Sequence, residues 1–410
     1  MQKVGDEKLS ASTLADRLDV SNLTYLAQDD ANVVVERTQK IQYADSPEYK
    51  SNGQIVVNWQ TGNDFISGRD SMLRLKVTAT GGAGASLEKG FITNIFNRVR
   101  VVTRSGVVVS HIDKYNLLTY YKTKYSRTKA WRTQQGVGLL GNGGSIANDG
   151  TNEYLIPLSL VAPIFDTNML LPASLVKGLR LEIKLERPEI AFVTAGDYEV
   201  AGVQCILDSY RLSDGAQNLI NNESKNRGLI IQYHDYQNSS FTLDPNQTTA
   251  SLDVRKTASM AVGSMAILRR TPEGKDDDIE AKIDSFASKV YEAGRSYQWR
   301  IGSTYLPVQA VAGPVQGYAQ AAYCFSKLNH KKELGVEFKE WSEEQHNGQN
   351  VMCCDISRYW LQNSGLAISN STSLNFNLEG VDGTDGKKLD IFLTHVRSLQ
   401  VFLENVVRSD

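Results

Sequence analysis

The chain has 410 residues, 41% hydrophobic and 22% charged, which is too long for one ordinary core and too evenly composed for a disordered chain or an all-helical coiled coil. Its 44 Lys and Arg against 46 Asp and Glu give a formal net charge of −2, which argues against a protein whose main task is gripping a polyanion. No window approaches the roughly 18 uninterrupted apolar residues of a membrane span, and the opening MQKVGDEKLSASTLADRL lacks the apolar segment of a signal peptide, so the chain reads as cytosolic at synthesis.

Residues 1–30 read as a polar arm, with Leu9, Leu14 and Leu18 on one short amphipathic helix capped by Ser12 or Thr13. The pattern then changes to alternation. Ile55, Val57 and Trp59 form one set, and Leu73, Leu75 and Val77 alternate with Arg74, Lys76 and Thr78, as half-buried strands do. RVRVVTR turns at Ser105 and Gly106 into VVVSHI. A helix should follow in HIDKYNLLTYYKTKY, with Asp113 as N-cap and Leu117, Leu118, Tyr121 and Tyr125 at helical spacing. LRLEIKLE is the cleanest strand, with Leu179, Leu181, Ile183 and Leu185 facing a core and Arg180, Glu182, Lys184 and Glu186 facing solvent or an interface. VQCILDSYRL, YQWRIGSTYL, LNFNLEG and LDIFLTHVRSLQVFL are further strand candidates. DDDIEAKIDSFASKVYEAG and GYAQAAYCFSKL read as helices.

A weak internal repeat organises these elements. SMLRLK at Ser71 resembles SMAILR at Ser264, the strand series from Arg98 resembles that from Tyr297, and LRLEIKLE from Leu179 resembles LNFNLEG. The offsets (71 to 264, 98 to 297, 179 to 374) are each roughly 195 residues, longer than any solenoid period, which points to a duplicated domain. VQCILDSYRLSD is matched to the strand pair ending at Arg408, Ser409 and Asp410. The resulting division is an arm at 1–30, a first half at 31–215, a polar, Asn-rich link at 216–228 and a second half at 229–410. The fold class is all-β, with a few short helices in the connections.

Motifs of chemistry are sparse, and no catalytic, cofactor-binding or metal-ligating residue is assigned. GVGLLG at 136–141 matches a dinucleotide fingerprint in letters alone, since no strand precedes it, and it is read as surface loop. His111, His234, His330, His346 and His395 show no ligand spacing. Four cysteines, Cys205, Cys324, Cys353 and Cys354, are too scattered for a disulfide framework, and the last two read as buried structural thiols. Asp276, Asp277 and Asp278 open a helix, which suits the macrodipole better than a calcium loop. Five sequons, at Asn22, Asn222, Asn238, Asn246 and Asn370, are the number chance allows in a chain rich in Asn, Ser and Thr. Lys122, Lys124, Arg127, Lys129 and Arg132 interleave with Tyr120, Tyr121, Tyr125 and Trp131, a patch that could touch nucleic acid or a neighbouring subunit. The near-neutral charge favours the subunit.

The stretch YLIPLSLVAPIFDTNMLLPASLVKGLRLEIKLERP, residues 154–188, resembles the double jelly-roll major capsid proteins of the lineage spanning adenoviruses, tailless membrane-containing phages, algal giant viruses, virophages and Polinton-like viruses. FITNIFNRVRVVTRSGVVVSHIDKYNLL and YQWRIGSTYLP extend the likeness across roughly residues 50–405. The resemblance implies two consecutive eight-stranded jelly rolls and a pseudo-hexameric homotrimer. Such trimers tile an icosahedral virion beside penton and minor capsid proteins, with an inner face that could meet a membrane or the genome. It implies no enzyme activity, cofactor or small-molecule substrate. The chain's length suits a virophage or Polinton-like source, and the loops 79–90, 133–152 and 269–282 would project outward. The alternative from another class is a carbohydrate-binding or carbohydrate-processing β-sandwich, which needs paired carboxylates or an aromatic platform. A minor capsid protein, with a single jelly roll, would not need a duplicated chain.

Overall fold

The computed structural model describes residues 33–81, 85–86, 91–141, 144–192, 196–270, 295–329, 334–346, 351–357, 365–369, 372–380, 386–402 and 406–409. Residues 34–212 carry eight main strands: β1 (Val34–Tyr43), β2 (Gln54–Asn58), β3 (Phe65–Thr80), β4 (Phe96–Val102), β5 (Val108–Asp113), β6 (Thr151–Pro157), β7 (Arg180–Leu185) and β8 (Asp197–Leu212). Residues 229–401 carry eight more: β9 (Leu229–Leu243), β10 (Ala250–Val254), β11 (Ala258–Arg270), β12 (Ser296–Ile301), β13 (Thr304–Val311), β14 (Val351–Asp355), β15 (Leu374–Glu379) and β16 (Lys387–Val401).

The first eight form two antiparallel sheets, β1-β8-β3-β6 and β2-β7-β4-β5, and the second eight repeat that order as β9-β16-β11-β14 and β10-β15-β12-β13. In each set one sheet joins the first, eighth, third and sixth strands and the other joins the second, seventh, fourth and fifth. That is the wiring of a jelly roll, so the fold is a double jelly roll. The alternation that marks the strands in sequence fills both cores. Leu181, Ile183 and Leu185 in β7 and Leu374, Phe376 and Leu378 in β15 are buried. In each half a buried indole packs against a phenyl ring: Trp59 stacks on Phe165 at 5.2 Å and Trp299 tilts over Phe376 at 4.4 Å. At Gly68, inside β3, a side chain is excluded, because a Cβ there would lie 2.5 Å from the Phe165 carbonyl oxygen.

Several expectations are corrected in detail. The helix after β5 is α1 (Tyr115–Ser126); its N-cap is Lys114 in the left-handed region, while Asp113 ends β5. The link between the halves is a helix, α2 (Asp214–Asn226), begun by Ser213, whose hydroxyl accepts from the Ala216 amide. Two polar residues in three hid an apolar stripe that buries Ala216 and Ile220. YQWRIGSTYL is a hairpin, β12 and β13 meeting at Gly302 with φ 57°, not one strand. The stretch 133–152 is not all loop, since a short helix occupies Gln135–Leu140 and ends at Gly141 with φ 63°. The counterpart of VQCILDSYRL by sheet position is β16, and Val406–Ser409 is an extra short strand pairing with it. α3 (Pro314–Asn329), which contains the helical stretch GYAQAAYCFSKL, and a further helix, α4 (Phe338–His346), follow β13. The arm at 1–30, the acidic helix at 276–294 and most of the loop at 269–282 lie outside the described residues.

Candidate interaction surfaces

The two halves meet along a seam in which β5 lies against β9 and is reached by Arg397 of β16. Arg397 on β16 pairs with Asp235 on β9, and the side chains are 4% and 0% exposed. The Arg397 guanidinium also donates to the Val109 carbonyl at 2.8 Å, the Ser110 hydroxyl donates to Asp235 at 2.9 Å, and the Tyr233 hydroxyl donates to the same Val109 carbonyl at 2.6 Å. An ion pair this dry is held by its extra hydrogen bonds as much as by attraction between its charges. Residues 124 to 288 positions apart meet here, and no local period announces them.

The basic and aromatic stretch 120–132 is the second part of the same seam and not a free patch. Tyr120, Tyr121, Tyr125 and Lys124 are buried. Tyr125 packs edge-on against Trp341 of α4 at 5.1 Å and against Phe325 of α3 at 5.4 Å. Lys122 lies over the Tyr236 ring at 5.3 Å, and its ammonium is pushed below the usual lysine range by burial. Arg132 pairs with Glu340 at 3.3 Å. Helical spacing of the tyrosines was visible in the sequence. That their partner lies in the same chain was not. Lys129 stays exposed.

The polar side of β7 is also partly covered. Glu182 takes Arg180 at 2.7 Å and Arg100 at 3.4 Å, and Glu186 accepts from Asn97 at 2.6 Å and Asn116 at 2.9 Å. Among the other singled-out residues, Cys205, Cys353 and Cys354 are buried, and Cys353 lies in β14 beside Cys324 of α3. Burial pushes the Cys205 thiol up to about 12 and Cys353 well above its ordinary value. At pH 8 Cys205 and Cys353 are therefore expected to resist a thiol reagent such as Ellman's in the folded protein and to react once it is unfolded in guanidinium. Rapid native labelling at either position would contradict that burial. His111 contacts Asp113 at 3.3 Å, His395 is buried in β16, His234 lies in β9, and nothing draws these three together at ligand spacing. His330 is outside the described residues, as is the side chain of His346. Among the described residues, no group of three or more His, Cys, Asp and Glu could hold a metal ion, and no helix is long and apolar enough to cross a membrane.

Two loops singled out in the sequence come together. Ala85–Ser86 pairs with Ser145–Ile146, and the Asp149 amide donates to Ala79 at 2.9 Å, so 79–90 and 133–152 share one end of the first sandwich. The exposed apolar side chains of the second half include Tyr305 (43%) and Val308 (85%) on β13 and Val315 and Tyr323 on α3. β13 is an edge strand of its sheet, as β5 is in the first half.

No protein-family model matches the chain, and no curated protein matches it in sequence. The fold class is nonetheless well populated among solved structures, as a pair of jelly rolls in one chain. The PBCV-1 virus capsid superposes with a TM-score of 0.62 at 8% identity, covering 92% of this chain and 96% of that one. The Faustovirus major capsid protein gives 0.62 at 7% identity over 96% and 99%, and the mavirus major capsid protein gives 0.51 at 11% over 91% and 90%. Each match covers nine-tenths or more of both chains and rests on shape alone.

Proposed function

We propose that this chain is the major capsid protein of an icosahedral virus, a structural protein without turnover, whose work is to associate into pseudo-hexameric homotrimers that tile the shell. The observation that carries this reading is the duplication itself. Two sandwiches of identical strand order, fixed side by side by a buried seam, let a threefold assembly present six similar units to a hexagonal lattice site. The likeness to the PBCV-1 capsid and the Faustovirus and mavirus major capsid proteins supports it, because it spans nine-tenths or more of each chain.

The domains on this reading are 31–215 and 229–410, joined through 216–228 with an arm at 1–30. The loop pair 79–90 and 133–152, with 269–282, forms the outward end. The protein resides in the virion after synthesis in the host cytoplasm, beside penton and minor capsid proteins, and a virophage or Polinton-like virus is the proposed source. The carbohydrate-handling alternative gains no support from the fold. Light scattering on the purified protein is expected to give three times the 45.4 kDa chain mass, or larger shells. A stable monomer that binds glycans would overturn the proposal.

A further inference from the structure

We infer that Arg211 completes between chains the seam that Arg397 completes within one, by donating to the edge strand β13 of a second copy. The inference rests on the self-association proposed above and assigns its surfaces. β8 and β16 are the eighth strands of their sandwiches, and each pairs with the first and third. Their registers align through a shared step: Ile206 lies opposite Met72, and Phe392 lies opposite Met265. Five residues on from each stand Arg211 and Arg397, facing Glu36 on β1 and Tyr233 on β9. The sequences Ile206-Leu207-Asp208-Ser209-Tyr210-Arg211 and Phe392-Leu393-Thr394-His395-Val396-Arg397 keep Leu and Arg in step.

The two arginines differ in what covers them. Arg397 is buried under β5 and bonds the Val109 carbonyl. Arg211 is 60% exposed and pairs at 2.7 Å with Glu36, itself 47% exposed. The covering strand shows the same contrast in reverse. Val109 on β5 is buried and its carbonyl accepts from Arg397 and Tyr233 of the second half, whereas β13, the fifth strand of the second sandwich, leaves Val308 85% exposed. Each chain thus uses one complementary pair of surfaces internally and leaves the other pair open. The open members, the β1 and β8 ends of the first sandwich and the β13 edge of the second, fit each other only between copies. The contact is head-to-tail, so it can propagate from chain to chain and close into a ring.

The test uses Arg211→Glu and Val308→Asp in the full chain, measured alone and mixed by light scattering. Each variant alone is expected to weaken association by about tenfold or more and to run as a monomer at concentrations where the wild type is a trimer. The equimolar mixture is expected to form a dimer and nothing larger, because Arg211→Glu keeps an intact β13 edge and Val308→Asp keeps an intact β1 and β8 face. Both side chains are exposed, so wild-type circular dichroism spectra are expected. Arg211→Ala, which adds no charge beside Glu36, is expected to weaken association in the same direction. Trimers that survive the Arg211 substitutions, or a mixture that stays monomeric, would overturn this assignment while leaving the capsid reading intact. A wild-type chain that is monomeric at every concentration would instead sink the capsid reading.

Discussion

Asp235→Ala is expected to lower the unfolding free energy by about 3–5 kcal/mol, read as a fall in the urea midpoint. The change leaves Arg397 charged in a place where its side chain is 4% exposed, and it removes the acceptor of the Ser110 hydroxyl. Arg397→Ala should cost a similar amount, since it strands the carboxylate of Asp235, which is 0% exposed. The double replacement Asp235→Leu with Arg397→Met is expected to cost less than either single change. A charge pair in a dry interior is dangerous to break and nearly neutral to replace, although the Val109 carbonyl would still lose a donor. If either single variant lost less than about 1 kcal/mol, the pair would have to be wetter than its burial indicates.

Tyr125→Ala is expected to cost about 3–5 kcal/mol, the range for emptying a buried aromatic site. Its consequence reaches beyond the sum, because the ring belongs to residues 115–126 and its neighbours Phe325 and Trp341 belong to the second half. Removing it opens a cavity between the halves and not within either core. The wild type should melt as one transition, whereas the variant is expected to show two in calorimetry, one per sandwich. Tyr125→Phe keeps the ring and should retain most of the coupling. A single unshifted transition in Tyr125→Ala would mean that the halves are held together elsewhere.

Period-two alternation made the strands legible from sequence. Leu181, Ile183 and Leu185 declare β7, and the offset from Leu179 to Leu374, close to that of the other matched pairs, declares its counterpart β15, so the duplicated fold is legible in the sequence. Hairpin chemistry was legible at Gly106 and missed at Gly302, where both flanking strands are apolar enough to run together on paper. Asp113 looked like a cap by residue type, yet the chain turns at Lys114. What could not be read was the seam. Lys122, Lys124 and the tyrosines beside them have the composition of a wet surface. Their cover comes from far along the chain: Tyr125 lies against Phe325 of α3 and Trp341 of α4, Arg132 pairs with Glu340, and Lys122 lies over Tyr236 of β9. The last strand misleads for a related reason: Arg408 sits near the end of the sequence as Arg211 sits near the end of β8, but sheet order and register make Arg397 the counterpart.

The central claim is that two equivalent sandwiches per chain serve a threefold assembly. Electron microscopy of the purified protein, averaged without imposed symmetry, tests it most directly. The account predicts a particle of three chains with a hexagonal outline and six similar lobes. A two-lobed single chain, or a twofold dimer with four lobes, would contradict it.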